Sequence, residues 1–223
     1  MKAPVVDYKA FRPSRIMEPQ YQHLLLWLTW LIYFALYFLT ENLIPAENCH
    51  VMHCALDDII PFCEWFLIPY TGWYLLVFCS LLYFTLYDVE SFKRLQVYIF
   101  ITQLVAMTAY ILYPSRQDLR PLVFERDNIL TRIMGIIYAF DTNTGVCPSL
   151  HVAYSLGIAS VWLKKKDASP AWKAFIVILV ILICMATAFV KQHSVVDILW
   201  ALPLGLFAEI LTFHVIYKKQ PEA

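Results

Sequence analysis

Of the 223 residues, 61% are hydrophobic and 15% are charged, against about 45–50% and about 25% in a soluble domain. With a mean hydropathy of +0.61, this composition indicates an integral membrane protein and excludes an ordinary soluble domain. Lys and Arg together number 17, as do Asp and Glu, so the balance offers nothing to a nucleic acid and none is expected as a partner.

About 20 apolar residues cross the hydrocarbon as a helix. In chain order, roughly six stretches qualify: 23–40, 66–87, 96–113, 147–163, 171–190 and 195–217. The span at 147–163 is short, and Pro203 is expected to kink the last one. The first is too long for a cleaved signal peptide and follows a polar stretch. Residues 127–145 are apolar but too short to span, and are expected to lie on the membrane surface. No repeat or low-complexity segment divides the chain. The expected fold is all-α: one polytopic membrane domain over 1–223 with six transmembrane helices.

Lys and Arg set the orientation. With the N-terminus inside, the cytoplasmic segments hold Lys2, Lys9, Arg12, Arg15, Lys93, Arg94, Lys164, Lys165, Lys166, Lys218 and Lys219. The other side holds Arg116, Arg120, Arg126, Arg132 and Lys191, with Lys173 near a boundary. Both termini are therefore expected in the cytoplasm, and the outer cations are the ones that need a reason.

They fall beside polar residues. In KQHSVVD, residues 191–197, His193 and Asp197 are i and i+4 and share a helix face. An Asp one turn into a membrane helix is costly without a partner. Asp197 suits the role of accepting a proton from one ring nitrogen of His193, leaving the other free to attack. The bland alternative is a pair that merely neutralises itself at the interface. In GVCPSLH, residues 145–151, Pro148 suits a first helical position. The backbone amides around Ser149 to His151 then form an anion site, with His151 as a proton donor. In YPSRQDLRP, residues 113–121, Arg116 and Arg120 suit bidentate phosphate contacts, or are a solvated face.

CHVMHC, residues 49–54, with Cys63 beyond, is compatible with a metal site, a disulfide or reduced interfacial thiols. Asp57 and Asp58 read as solvated acids of an outer loop, or as contacts for an acceptor headgroup. Trp and Tyr in 56–73 fit an aromatic belt. His23 and His214 read as packing residues.

In this order, P-S-L-H at 148–151 and H-S-V-V-D at 193–197, with the R-P pair at 120–121, resemble the type 2 phosphatidic acid phosphatase superfamily. That group includes lipid phosphatases and the phosphotransferases related to inositol phosphorylceramide and sphingomyelin synthases. The resemblance covers residues from about 113 to 200 by motif and the whole chain by its six-span plan. It implies His193 as the nucleophile that becomes phosphohistidine, His151 as the acid for the leaving group and Asp197 as the residue that orients His193. Ser149 and Arg120 would hold the phosphate, and no metal or cofactor is implied. The chain departs from the phosphatase branch in having Ala186 and Thr187 where Ser-Arg stands, Tyr113 in place of a Lys and Leu150 in place of a Gly. Lys191 and Arg116 are expected to substitute for the missing cations.

The implied activity is hydrolysis of a membrane lipid phosphomonoester or diphosphate on the extracytoplasmic face of the cell membrane. P-S-L-H and K-Q-H-S look more like the phosphotransferase branch, in which a second alcohol replaces water. A non-catalytic transporter or lipid-binding protein is the rival from another class. A proton relay would spread ionisable groups through the membrane, whereas these gather on one face.

Overall fold

A computed structural model describes residues 3–218; Lys2 and Lys219, used above for orientation, lie outside the described residues. The α-helices among the described residues are α1 (Leu28–Leu43), α2 (Ala55–Ile59), α3 (Leu67–Tyr87), α4 (Val89–Leu112), α5 (Ile129–Phe140), α6 (Leu150–Lys164), α7 (Pro170–Phe189) and α8 (Val195–Ile210). The described residues are all-α apart from a parallel pair of two-residue strands, β1 (His50–Val51) and β2 (Ser115–Arg116). That pair and an antiparallel bridge from Arg116 to Thr144 lace three loops together.

Among the described residues, five helical runs are long and apolar enough to cross a membrane: Gln22–Leu43, Glu64–Tyr87, Val89–Leu112, Pro170–Phe189 and Val195–Ile216. Their outward faces carry Leu75, Phe78, Ile178, Ile181, Trp200 and Leu206 exposed, as a hydrocarbon solvent allows. The expected stretch at 147–163 differs. Its helix, α6, has 15 residues, about 22 Å at 1.5 Å per residue against a hydrocarbon core of about 30 Å. It is instead the inner helix of the bundle, packed against α3, α4, α7 and α8, with Val152, Tyr154, Ile158 and Val161 buried. Close approach depends on Gly157, where any Cβ would run into the Tyr98 ring of α4.

Capping explains where the helices begin. Asp88 accepts from the Ser91 amide at 3.1 Å, so α4 starts at Val89 rather than at 96 and takes in Lys93 and Arg94. The same carboxylate receives Lys165 Nζ at 2.7 Å, joining the α3–α4 turn to the end of α6. Ser169 and Pro170 open α7 in the usual order of cap and first helical residue. α8 remains helical through Pro203 and widens into a π-helical stretch, Leu211–Ile216.

Two segments are more ordered than the sequence suggested. The polar residues before α1 lie on the α3–α4 turn: Val5 N donates to Leu86 O at 2.9 Å, and Tyr8 Oη contacts His23 Nε2 at 2.8 Å. The apolar segment 127–145 forms α5, capped by Asn128, whose Met134 packs with Leu67, Tyr70, Ala186 and Val190.

Candidate active site

The turn between α7 and α8 is built from backbone. The amides of Gln192 and His193 both donate to the Thr187 carbonyl at 3.0 Å. Lys191 adopts φ +54°, the left-handed region that disfavours a side chain with a Cβ. Ser194 then caps α8 through a reciprocal box: its hydroxyl accepts from Val196 N, and Asp197 accepts from the Ser194 amide. His193 emerges from this turn only 7% exposed.

His151 comes from the first turn of α6. Ser149 is the N-cap of α6, so Pro148 lies one residue outside the helix instead of at its first position. The Ser149 amide donates to the Asp197 carbonyl at 3.1 Å, which bolts the start of α6 to the first turn of α8 and removes that amide from any anion site. Ser149 is fully buried, and its hydroxyl has no hydrogen-bond partner. The His151 ring stacks on Tyr70, with centroids 4.9 Å apart, and tilts against Trp73 at 4.3 Å.

These elements produce a row. Asp197 Oδ2 lies 3.3 Å from His193 Nδ1, and His193 Nε2 lies 3.4 Å from His151 Nδ1. Both contacts are long for hydrogen bonds. Tyr110 supports the row from α4 by donating to the Pro148 carbonyl at 2.8 Å. The row borders a cavity of about 600 Å³. Its polar lining is His151, His193, Gln192, Asp141, Thr142 and Thr144, and its apolar lining includes Trp27, Trp30, Phe34, Trp73 and Val77. From Trp27, the N-cap of α1, that lining runs to Tyr37, a rise of about 15 Å at 1.5 Å per residue.

The expected phosphate-binding cations are placed differently. Arg120 is half-buried and donates to the carbonyls of Tyr138, Asp141 and Thr142 and, at 2.6 Å, to Gln192 Oε1. It lies over the Tyr138 ring, 4.7 Å from the centroid, so it anchors the end of α5 to the residue beside His193. Burial lowers its pKa against the opposing pull of Asp141. Arg116 pairs with Asp118 at 3.2 Å and donates to the Ala46 carbonyl, in the small sheet and outside the cavity lining. Lys191 does not turn toward Ser149. Its ammonium donates to the carbonyls of Asp57, at 2.8 Å, and Ile60, and burial depresses its pKa despite Asp57 and Asp58.

Other groups were invisible in the sequence. Asp141 Oδ2 accepts from Gln192 Nε2 at 3.0 Å, and burial raises its pKa against the nearby Arg120. Burial also pushes the Cys147 thiol up to about 12. Asp57 is not solvated: it is 3% exposed and binds the turn that carries His193. The CHVMHC cluster comes apart, with His50 stacked on Tyr113 at 4.0 Å and His53 paired with Asp58 at 2.8 Å. Cys49, Cys54 and Cys63 are unbridged, and no group of three or more His, Cys, Asp or Glu suited to a metal occurs among the described residues.

The fold and its apolar spans define a helical membrane protein with an Asp–His–His row at one end of an aromatic cavity. Compared with models of known protein families, with curated sequences and with solved structures, the chain matches none.

Proposed function

We propose that the chain is a membrane phosphatase that hydrolyses a lipid phosphomonoester or diphosphate through a phosphohistidine at His193. One observation carries this reading: a histidine with a carboxylate on one ring nitrogen and a second histidine facing the other, beside an apolar cavity. Asp197 holds the proton on Nδ1, so Nε2 presents its lone pair. Nε2 bonds to phosphorus as the bond from phosphorus to the leaving oxygen breaks, and His151 gives that oxygen a proton. Water then attacks the phosphohistidine and loses a proton to His151, and the P–N bond breaks to return His193. The cavity takes the apolar part of the substrate, with His151 and His193 in its lining.

In this scheme α6 is a sixth, shortened span, both termini are cytoplasmic and the row faces outward in the cell membrane. The test is phosphate release from phosphatidic acid or farnesyl diphosphate in detergent with a chelator present. No release by wild-type protein from either substrate, with no phosphohistidine, ends the proposal.

A second reading replaces water with an alcohol, making the chain a lipid phosphotransferase of the inositol phosphorylceramide synthase kind. Asp141, Thr142 and Thr144 favour it, because they put hydroxyl-binding groups into the same cavity lining as His193. Labelled phospholipid offered with and without inositol separates the two by product.

A further inference from the structure

The outer acid Asp57, from a short helix far from His193 in sequence, reaches into the turn that carries it. One carboxylate oxygen accepts the Ser194 hydroxyl at 2.6 Å, and the other accepts the Val195 amide at 2.8 Å. The Cys54 amide donates to the first of these at 2.8 Å. The Asp57 carbonyl meanwhile receives Lys191 Nζ. Lys191 before His193, and Ser194 and Val195 after it, are thus tied to one buried residue of another segment. We propose that Asp57 is a positioning residue, which clamps the 191–195 turn so that His193 is held facing His151.

The physical case is one of leverage. The turn between α7 and α8 is held by Thr187 on the α7 side and by the Ser194–Asp197 box on the α8 side. Both act within the local chain, and neither fixes the turn relative to the rest of the bundle. Asp57 reaches it from a separate segment, whose Cys63 amide donates to the Phe189 carbonyl at 3.0 Å, and acts beside the Arg120–Gln192 and Ser149–Asp197 ties. A carboxylate accepting several donors is a strong, directional tie. Burial, the largest influence on it, works against the charge, yet the bonds from Ser194, Val195 and Cys54 outweigh it and hold the pKa below the usual range. The neighbouring Asp58 is exposed and pairs with His53, so it makes a control of equal charge.

This inference rests on His193 as the nucleophile only for its kinetic half, and two measurements on the full chain in detergent separate the halves. Hydrogen exchange across 190–197 reads the clamp directly. Asp57→Asn cannot accept from all three donors, and Asp57→Ala accepts from none. Both are expected to speed exchange there by about tenfold or more, as loss of a charge-assisted bond implies. Phosphate release is expected to fall by about a hundredfold in kcat, the cost of a small misplacement, with KM for farnesyl diphosphate within about twofold. Asp58→Asn is expected to change neither. Should Asp57→Ala fail to fold, the isosteric Asp57→Asn carries the comparison. Unchanged exchange in a folded Asp57 variant overturns the clamp, and faster exchange with unchanged kcat overturns the positioning role. Inactive wild-type protein instead sinks the phosphoryl-transfer reading, while exchange still decides the clamp.

Discussion

Asp197 Oδ2 serves the Ser194 amide at 2.9 Å and His193 Nδ1 at 3.3 Å with a single oxygen. One carboxylate therefore closes the first turn of α8 and orients the ring beside it. The spacing of Ser194 and Asp197 alone would account for a capping box. The histidine is the part that capping does not require.

Substituting Asp197 separates the two duties. Asp197→Asn keeps an oxygen for the Ser194 amide but no longer carries the charge that stabilises a cationic His193. We expect its stability to change by no more than about 1 kcal/mol, while kcat falls by about a hundredfold or more. Asp197→Ala should lose the cap as well, lowering stability by about 1 kcal/mol or more. Thermal unfolding and phosphate release, measured on both variants, check this. Equal kcat for wild type and Asp197→Asn would leave the residue with capping alone.

The two histidines should differ by leaving group. His193→Ala is expected to abolish turnover and phosphohistidine formation. His151→Ala should slow release from a lipid phosphate by about 10²–10⁴-fold, the usual value of general acid catalysis. It should lose far less with p-nitrophenyl phosphate, whose leaving oxygen needs little protonation. Phosphohistidine on His193→Ala, or equal losses by His151→Ala on both substrates, would reverse or remove these assignments.

How much of this was legible in the sequence varies from residue to residue. The helical membrane class and five of the spans follow from apolar runs of the right length, because hydrocarbon imposes that length directly. His193 meets Asp197 as their spacing led one to expect, but from the turn before the Ser194 cap and not from a shared helix face. What could not be read is contact between distant segments. Nothing local to residues 56–61 says that Asp57 is buried against Ser194. Arg120 and Lys191 looked like free cations because the carbonyl groups that bind them are gathered in one place, without intrahelical partners, only at the ends of α5 and α2. Pro148 was expected at the first helical position, which Leu150 takes two residues further on, after Ser149 in extended backbone.

Lys191 tests that last lesson on side chains. Its ammonium serves α2, so removing it should act through the turn and not on phosphate affinity. We expect Lys191→Ala to lower kcat with KM within about twofold. Lys191→Gly relieves the left-handed backbone at φ +54°, and should be more stable than Lys191→Ala by about 1 kcal/mol. A large rise in KM for Lys191→Ala would return the ammonium to the phosphate.

The close approach of α4 and α6 gives a stability prediction independent of chemistry. Gly157→Ala puts a methyl group into the Tyr98 ring, and overpacking of this kind costs about 1–3 kcal/mol. Tyr98→Leu, made in the same chain, should recover part of that loss, since contacting residues do not add independently. Additive losses in the double variant would show that the ring is not what the methyl group meets.

Sidedness is the remaining inference from charge, and exposure selects the probes. Leu122, in the Arg120–Arg126 loop, is fully exposed, whereas Asn143 is partly covered and donates to the Gln117 carbonyl at 2.7 Å. Leu122→Cys therefore reports the outer side without breaking a contact that Asn143→Cys would break. Lys166, between α6 and α7, is exposed and reports the other side. Cys147 must be replaced first, since it adjoins the row, and each probe is compared with that parent. Because the cytoplasmic segments should carry the excess of Lys and Arg, an impermeant thiol reagent added to intact cells should label Leu122→Cys and spare Lys166→Cys until the membrane is opened. The opposite pattern would turn the Asp197–His193–His151 row toward the cytoplasm and exclude any substrate presented only from outside.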